Sequence, residues 1–309
     1  MANAITLAEK YMPLIDEVYA TASLTKDLEN GQVKFDNTAT VKILKLVVPS
    51  LGDYSRNSGF TVGDVTATWE SWTLSEDRGR EFSIDSMSNE ESLDLTFGKA
   101  SSEFIRTKVV PEVDAYRFAK LASTDGVTTV AGELADGQAV ETALATALAE
   151  LDNNEVPAEG RIIYATPTVI NKLKTEFANR FNNKADILNR SFTEFDGIKM
   201  ISVPQGRFVT KLEKDTDGVY SKAEDAKDIN FMVVAPSAVE AVAKHVKLRV
   251  FTPDVNQDMD AYKFQYRIYH DIFVYANKVA GIYVHTEVVE TEGSEGSEGS
   301  GNGGSEPTE

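Results

Sequence analysis

Cysteine is absent from all 309 residues, which removes disulfides, thiolate metal sites, iron-sulfur clusters and cysteine nucleophiles together. Any covalent link between chains must use other chemistry. Histidine is scarce as well: His245, His270 and His285 are the only imidazoles, and none stands in an HExxH or other close ligand spacing. His270 and His285 fall in β-rich runs, where a partly buried, hydrogen-bonded ring is the expectation. No GxSxG elbow occurs, and neither GxxxxGK[ST] nor GxGxxG follows a strand, so the usual signatures of acyl transfer and nucleotide binding are missing. Cations are outnumbered, 31 Lys and Arg against 49 Asp and Glu for a net charge of −18, which works against tight phosphate binding. No window approaches the ~18 apolar residues of a spanning helix. The opening stretch MANAITLAEKYMPLIDEVYA is interrupted by Glu9, Lys10 and Asp16 and has no signal-peptide pattern. A cytoplasmic product without membrane contact is expected.

What is present is an ordinary globular composition, 42% hydrophobic, in a chain long enough to bury roughly 75% of its unfolded surface. Apolar residues from Ile5 to Val18 have helix-compatible spacing and suggest an arm with some helix. Val41 to Val48 is β-rich and ends at Pro49, after which SLGDYSRNSG reads as a turn-rich excursion. Val65 to Leu74 alternates, with Trp69 and Trp72 on opposite faces. Glu76 to Gly79 reads as a turn and Arg80 to Asp85 as a strand, so 41–85 is expected to be one extended β-hairpin system. The period then becomes helical through Leu93, Phe97, Ala100 and Phe104, and Pro111 followed by acids predicts a fresh helix start with a kink.

From Gly126 strand and helix signals alternate. Gln138 to Leu151 carries the stripe Val140, Leu144, Leu148 and Leu151. Arg161 to Ala165 predicts a strand, Thr166-Pro167 opens a helix, and Ile198 to Val203 predicts another strand. The charged run between Val209 and Phe231 reads as a solvated loop, and FMVVAPSAVEAVAKHV as strand, proline and helix. Tyr262 to Val274 has strong period-2 alternation, placing Tyr262, Phe264, Tyr266, Ile268, His270, Ile272 and Val274 on one face, and with Val279 to Val289 it predicts a long antiparallel hairpin. Beyond it lies an acidic Gly/Ser tail. Seven acids fall in 287–309, and removing them from −18 leaves −11 for the rest.

No catalytic constellation emerges, and no cofactor or metal site is expected. DVNQDMD at Asp254 to Asp260 imitates half a calcium loop, but Met259 replaces the required Gly and Gln265 stands where the bidentate Glu belongs. Glu90 and Glu91 diverge by about 100° on a helix and suit its N-terminus better than a shared site.

DRGREFSIDSMSNEESLDLTFGKASSEFIRTKVVPEVDAYRFAKLA, Asp77 to Ala122, resembles the corresponding stretch of major capsid proteins of tailed phages infecting Gram-positive hosts. RIIYATPTVINKL at Arg161 to Leu173 and YRIYHDIFVYANKVAGIYVH at Tyr266 to His285 are similar to other segments of that family. The resemblance implies the α+β Hong Kong 97-like capsid fold: an N-terminal arm (1–40), an extended β-hairpin called the E-loop (41–85), a peripheral domain with a long spine helix (86–125 and 245–289), an α/β axial domain (126–244), and here the flexible acidic tail (290–309). It implies a non-enzymatic subunit that assembles with itself through pentamers and hexamers into an icosahedral head around double-stranded DNA. Partners implied are a separate scaffolding protein and a portal, with no sequence-specific DNA contact, and the destination is the virion after assembly in the host cytoplasm. Arg56, Trp69, Trp72, Arg78 and Arg80 are the expected inter-subunit contacts. Some relatives cross-link through an E-loop Lys, but Pro49 to Thr66 holds only Arg56. Two other readings stay open, an encapsulin-like compartment shell and an acidic cytoplasmic enzyme.

Overall fold

Two sheets of opposite character organise the chain in a computed structural model that describes residues 22–29, 31, 34–35, 40–57, 59–87, 101–180 and 192–288. In chain order the strands begin with β1 (Lys34–Phe35), β2 (Thr40–Val47), β3 (Thr66–Thr73) and β4 (Glu76–Asp85). Residues 101–104 are helical and lead through a π-helical turn, Ile105–Val109, into α1 (Val110–Ala122). Then come β5 (Thr128–Ala131), α2 (Gly137–Asn153), β6 (Ile162–Ala165), α3 (Pro167–Arg180), β7 (Glu194–Phe195) and β8 (Ile198–Ser202). The remainder is β9 (Leu212–Lys214), β10 (Tyr220–Lys222), β11 (Ile229–Val234), β12 (Val239–Phe251), β13 (Ala261–Val274) and β14 (Ile282–Thr286). The expected arm helix before residue 22, the helical period through Leu93 and Phe97 and the acidic tail lie outside the described residues.

The six-stranded sheet runs β5-β14-β11-β6-β8-β7. Its central strands read as continuous apolar runs because both faces are covered. Ile162 and Tyr164 of β6, Met232 and Val234 of β11, and Ile282 and Val284 of β14 turn to a core shared with Phe118, Leu121 and Phe208. Their alternates Ile163, Ala165, Phe231, Val233 and Tyr283 turn to α2 and α3. The expected α2 stripe is buried against them, Val140 and Leu144 completely. Asp136 caps α2 through Ala139 N at 2.8 Å, and Gly137 is required by packing: a Cβ there would stand 2.5 Å from the Lys172 carbonyl of α3.

The second sheet, β12-β13-β4, is antiparallel. Phe264, Tyr266 and Ile268, on the face expected from the period-2 pattern, bury against Ile105, Val109, Val110 and Val113. Within that helix the Val110 N–H reaches back to Ile105 O, the wider bonding of a π turn. Such a turn next to Pro111 accommodates a residue that cannot donate into the ladder, so α1 starts afresh around the proline.

Four local expectations are corrected. Glu76–Gly79 is not a turn: β4 is continuous and pairs with β13, His270 opposite Glu76, while β2 and β3 form their own hairpin. The chain therefore changes sheets at Leu74–Ser75. AVEAVAKHV is strand, not helix, because β13 offers Val239–Phe251 a full partner, and ladder pairing overrides the helical propensity of its alanines. β13 and β14 do not form a hairpin: β14 pairs with β11 and β5. The Val209–Phe231 run contains the β9–β10 hairpin.

Candidate assembly surface

The β2–β3 hairpin carries a long tip, residues 48–65, and little of it is covered. Leu51 is fully exposed, Phe60 84% and Val62 91% exposed, and Tyr54 packs on Phe60, ring centroids 4.9 Å apart. Apolar side chains clustered on an exposed tip are a common mark of a contact surface. Arg56 sits on this tip, exposed, and makes no ion pair among the described residues.

Trp69 and Trp72 point opposite ways, as alternation requires. Trp69 is 55% exposed. Trp72 turns inward, stacks on Phe273 at 4.7 Å and 24°, and meets Tyr275 at 5.3 Å, while its indole N–H donates to Glu70 Oε1 at 3.1 Å. Trp72 thus anchors the hairpin to β13 of its own chain, beside a small core of Val41, Leu74 and Val242.

Arg78 and Arg80 share a face of β4, and both line a cleft between β4, the Ile105–Ala115 stretch of helix and the β9–β10 hairpin. Arg78 is engaged within the chain. Its Nε donates to Glu112 at 2.5 Å, an Nη to the Gly218 carbonyl at 2.6 Å, and its guanidinium lies 5.1 Å from the centre of the Tyr220 ring. Arg80 is exposed and makes no ion pair among the described residues. The cleft brings the two arginines together; Trp69, Trp72 and Arg56 belong to the hairpin.

Sequence reasoning missed what holds the crossover between sheets. Asp271, completely buried, accepts from Ser75 N and Ser75 Oγ, both at 2.9 Å, from Tyr116 Oη at 3.2 Å, and from the Lys120 ammonium. Glu76 takes Lys214 of β9 at 2.8 Å. The available signal was a lone carboxylate inside the β13 pattern, a residue type rarely buried without partners. A second such group is Asp114 on α1, which accepts from Leu24 N at 3.1 Å and from Thr25 Oγ1 at 2.7 Å. Arg117 adds Thr25 Oγ1 at 2.8 Å and Glu29 at 2.7 Å. Together they tie residues 23–29 to the helix.

The histidines divide. His285 stacks on Phe231 and its Nδ1 lies 3.3 Å from Asn230 Nδ2, as expected. His270 corrects the expectation, because it is buried with neither ring nitrogen hydrogen-bonded. Burial, then the charges of Arg117, Arg78, Lys120 and Lys214, push it down to about 3, so the ring is neutral. The Asp254–Asp260 segment forms turns between β12 and β13. Among the described residues no three His, Asp or Glu side chains converge as metal ligands, and no helix is long and apolar enough to cross a membrane.

No protein-family model and no curated protein matches the chain. Solved structures do. A structure titled as the capsid of cyanophage P-SCSP1u is similar with a TM-score of 0.63 at 15% identity, over 86% of this chain and 88% of that one. The virus-like particle from Pyrococcus furiosus gives 0.55 at 13% identity, over 90% of this chain and 98% of that one. A structure from Mycobacterium phage Che8 gives 0.55 at 17% identity, over 81% and 85%. The chain has the mixed α+β fold of these capsid structures.

Proposed function

We propose that this chain, folded as capsid-shell subunits are, is a major capsid protein that assembles with itself through hexamers and pentamers into an icosahedral head around double-stranded DNA. The observation that carries the reading is a fold likeness spanning nearly the whole body, joined to a hairpin tip whose apolar residues lack cover in their own chain. In this reading the β2–β3 hairpin is the E-loop and reaches across a neighbouring subunit, with Trp69 and Arg56 at the contact. The helix through α1 is the spine, and the β12-β13-β4 sheet belongs with it in the peripheral domain. The six-stranded sheet with α2 and α3 is the axial domain, which takes in β14 from the C-terminal segment. Arg80 is the base residue directed at acids of a neighbour, while Arg78 serves the fold through Glu112 and Gly218. The role is structural and not catalytic, the acidic surface keeps DNA from adhering to the wall, and a separate scaffolding protein and a portal complete assembly in the host cytoplasm before the product resides in the virion.

Electron microscopy and sedimentation of the purified chain test this directly. Icosahedral shells or capsomer rings are expected; a monodisperse monomer at high concentration overturns the reading. A second reading, a shell enclosing cargo other than DNA, draws on the likeness to the virus-like particle, which covers 98% of that chain. Nuclease-protected DNA in particles purified from their natural source favours the phage head, and protected protein without DNA favours the compartment.

A further inference from the structure

The cleft that holds Arg78 and Arg80 has a volume of about 730 Å³ and a charge unlike the rest of the molecule. Arg78, Arg80, Lys108, Arg207 and Lys222 line it against Glu112 and Asp217, a cationic excess in a chain of net charge −18. Glu112 occupies Arg78 and Asp228 occupies Lys222, but Arg80 and Lys108 are exposed and make no ion pair among the described residues. His270 lines the same cleft with no exposure and neither nitrogen partnered. That ring is sealed from solvent and its neighbouring cations are paired, so it is the exposed Arg80 and Lys108 that are set for an anion brought from elsewhere.

We propose that this cleft is the docking site for the acidic C-terminal segment of the same chain, residues 290–309. The backbone supplies the first argument. Glu287 N donates to the Asp228 carbonyl at 2.9 Å, and the Asp228 carboxylate holds the Lys222 ammonium at 2.7 Å, so the segment leaves the body one residue away from the rim. A Gly/Ser-rich coil of this length spans roughly 25 Å, and tethering sets an effective concentration on the order of millimolar. Charge supplies the second argument. The segment carries Glu290, Glu292, Glu295, Glu298, Glu306 and Glu309 and no cation. The segment offers a carboxylate at every third residue from Glu292 to Glu298, successive ones no more than about 10 Å apart along the chain, so more than one is available to Arg80 and Lys108. The docking is electrostatic and reversible, and it covers Arg80 and the flank of α1 until salt, or the acids of a neighbouring subunit during assembly, displace it.

Carbodiimide cross-linking of the intact chain at low ionic strength, with peptide mass spectrometry, tests the assignment. Lys108 is the discriminating acceptor, since Lys222 stands beside the root of the segment. Glutamates of 290–309 are expected to couple to Lys108 several-fold more than to Lys26 and Lys278, which are exposed as well, and the preference is expected to vanish near 1 M salt, where the screening length falls to about 3 Å. Arg80→Glu should remove it too. The combined Glu292→Gln, Glu295→Gln and Glu298→Gln variant should do the same without touching the folded body. In a mixture of isotopically light and heavy chains the cross-links should join peptides of one label. Coupling to Lys108 no greater than to Lys26 or Lys278, or unchanged in the variants, overturns the proposal. Mixed-label tail links assign the cleft to another copy's tail, and links from Asp53 or Asp64 assign it to another copy's hairpin tip; either overturns it.

Discussion

His270 and Asp114 are buried polar groups with opposite consequences. The folded chain holds His270 neutral with its pKa near 3 while the ordinary value is 6.5. Between those values the unfolded chain binds a proton that the folded chain refuses, so stability that is complete above pH 6.5 drains as the pH falls toward 3. His285, also depressed by burial, acts in the same direction. His270→Leu is expected to flatten the rise of the urea midpoint between pH 5 and 6.5, by up to one proton's slope. An unchanged slope means the ring is protonated in the folded state. Asp114 is satisfied instead, by the backbone N–H groups of Leu24 and Thr25 and the Thr25 hydroxyl. Asp114→Ala leaves those amides and the Thr25 hydroxyl short of an acceptor, removes the carboxylate that faces Arg207 at 3.7 Å, and is expected to cost about 3 kcal/mol in chemical denaturation. Faster hydrogen exchange at Leu24 and Thr25 should accompany it; protected amides there would mean the arm is held by other contacts.

At the scale of elements, what could be read from the chain was whatever depends on near neighbours. The α2 stripe, the alternation of β13 and the capped start of α3 are local patterns, and they appear where the local signals put them. Pairing between distant strands is not local. β4 finds β13 across nearly 200 residues and β14 leaves its sequence neighbour for β11, so the turn at Glu76, the helix at Ala241 and the final hairpin were misread. The surface was legible to a similar depth. Trp69 and Trp72 were expected on opposite faces and are, but only the structure separates their roles, because the partner of Trp72 is Phe273. Trp72→Ala is therefore expected to cost about 2 kcal/mol of stability and to loosen the hairpin, seen as faster proteolysis at the 48–65 tip. Trp69→Ala should shift stability by no more than about 0.5 kcal/mol and yet reduce particle formation in sedimentation. Equal effects of the two substitutions on unfolding would show that Trp69 belongs to the chain's own core.

For the whole molecule, like charge opposes association while the apolar hairpin favours it. Chains carrying −18 repel as they gather, and at about 0.1 M salt the screening length of about 10 Å still lets neighbouring acidic surfaces interact. Burial of Leu51, Phe60, Val62 and Trp69 is not weakened by salt in this way. The concentration at which particles first scatter light is therefore expected to fall as salt rises from about 0.05 to about 0.5 M. A chain ending at Val289 loses six acids and no base, which leaves −12, so its threshold should begin lower and respond less to salt. If added salt raises the threshold of both chains, opposite charges across the interface dominate assembly, and contacts such as Arg80 with a neighbour's acids, not the apolar tip, become its main source of adhesion.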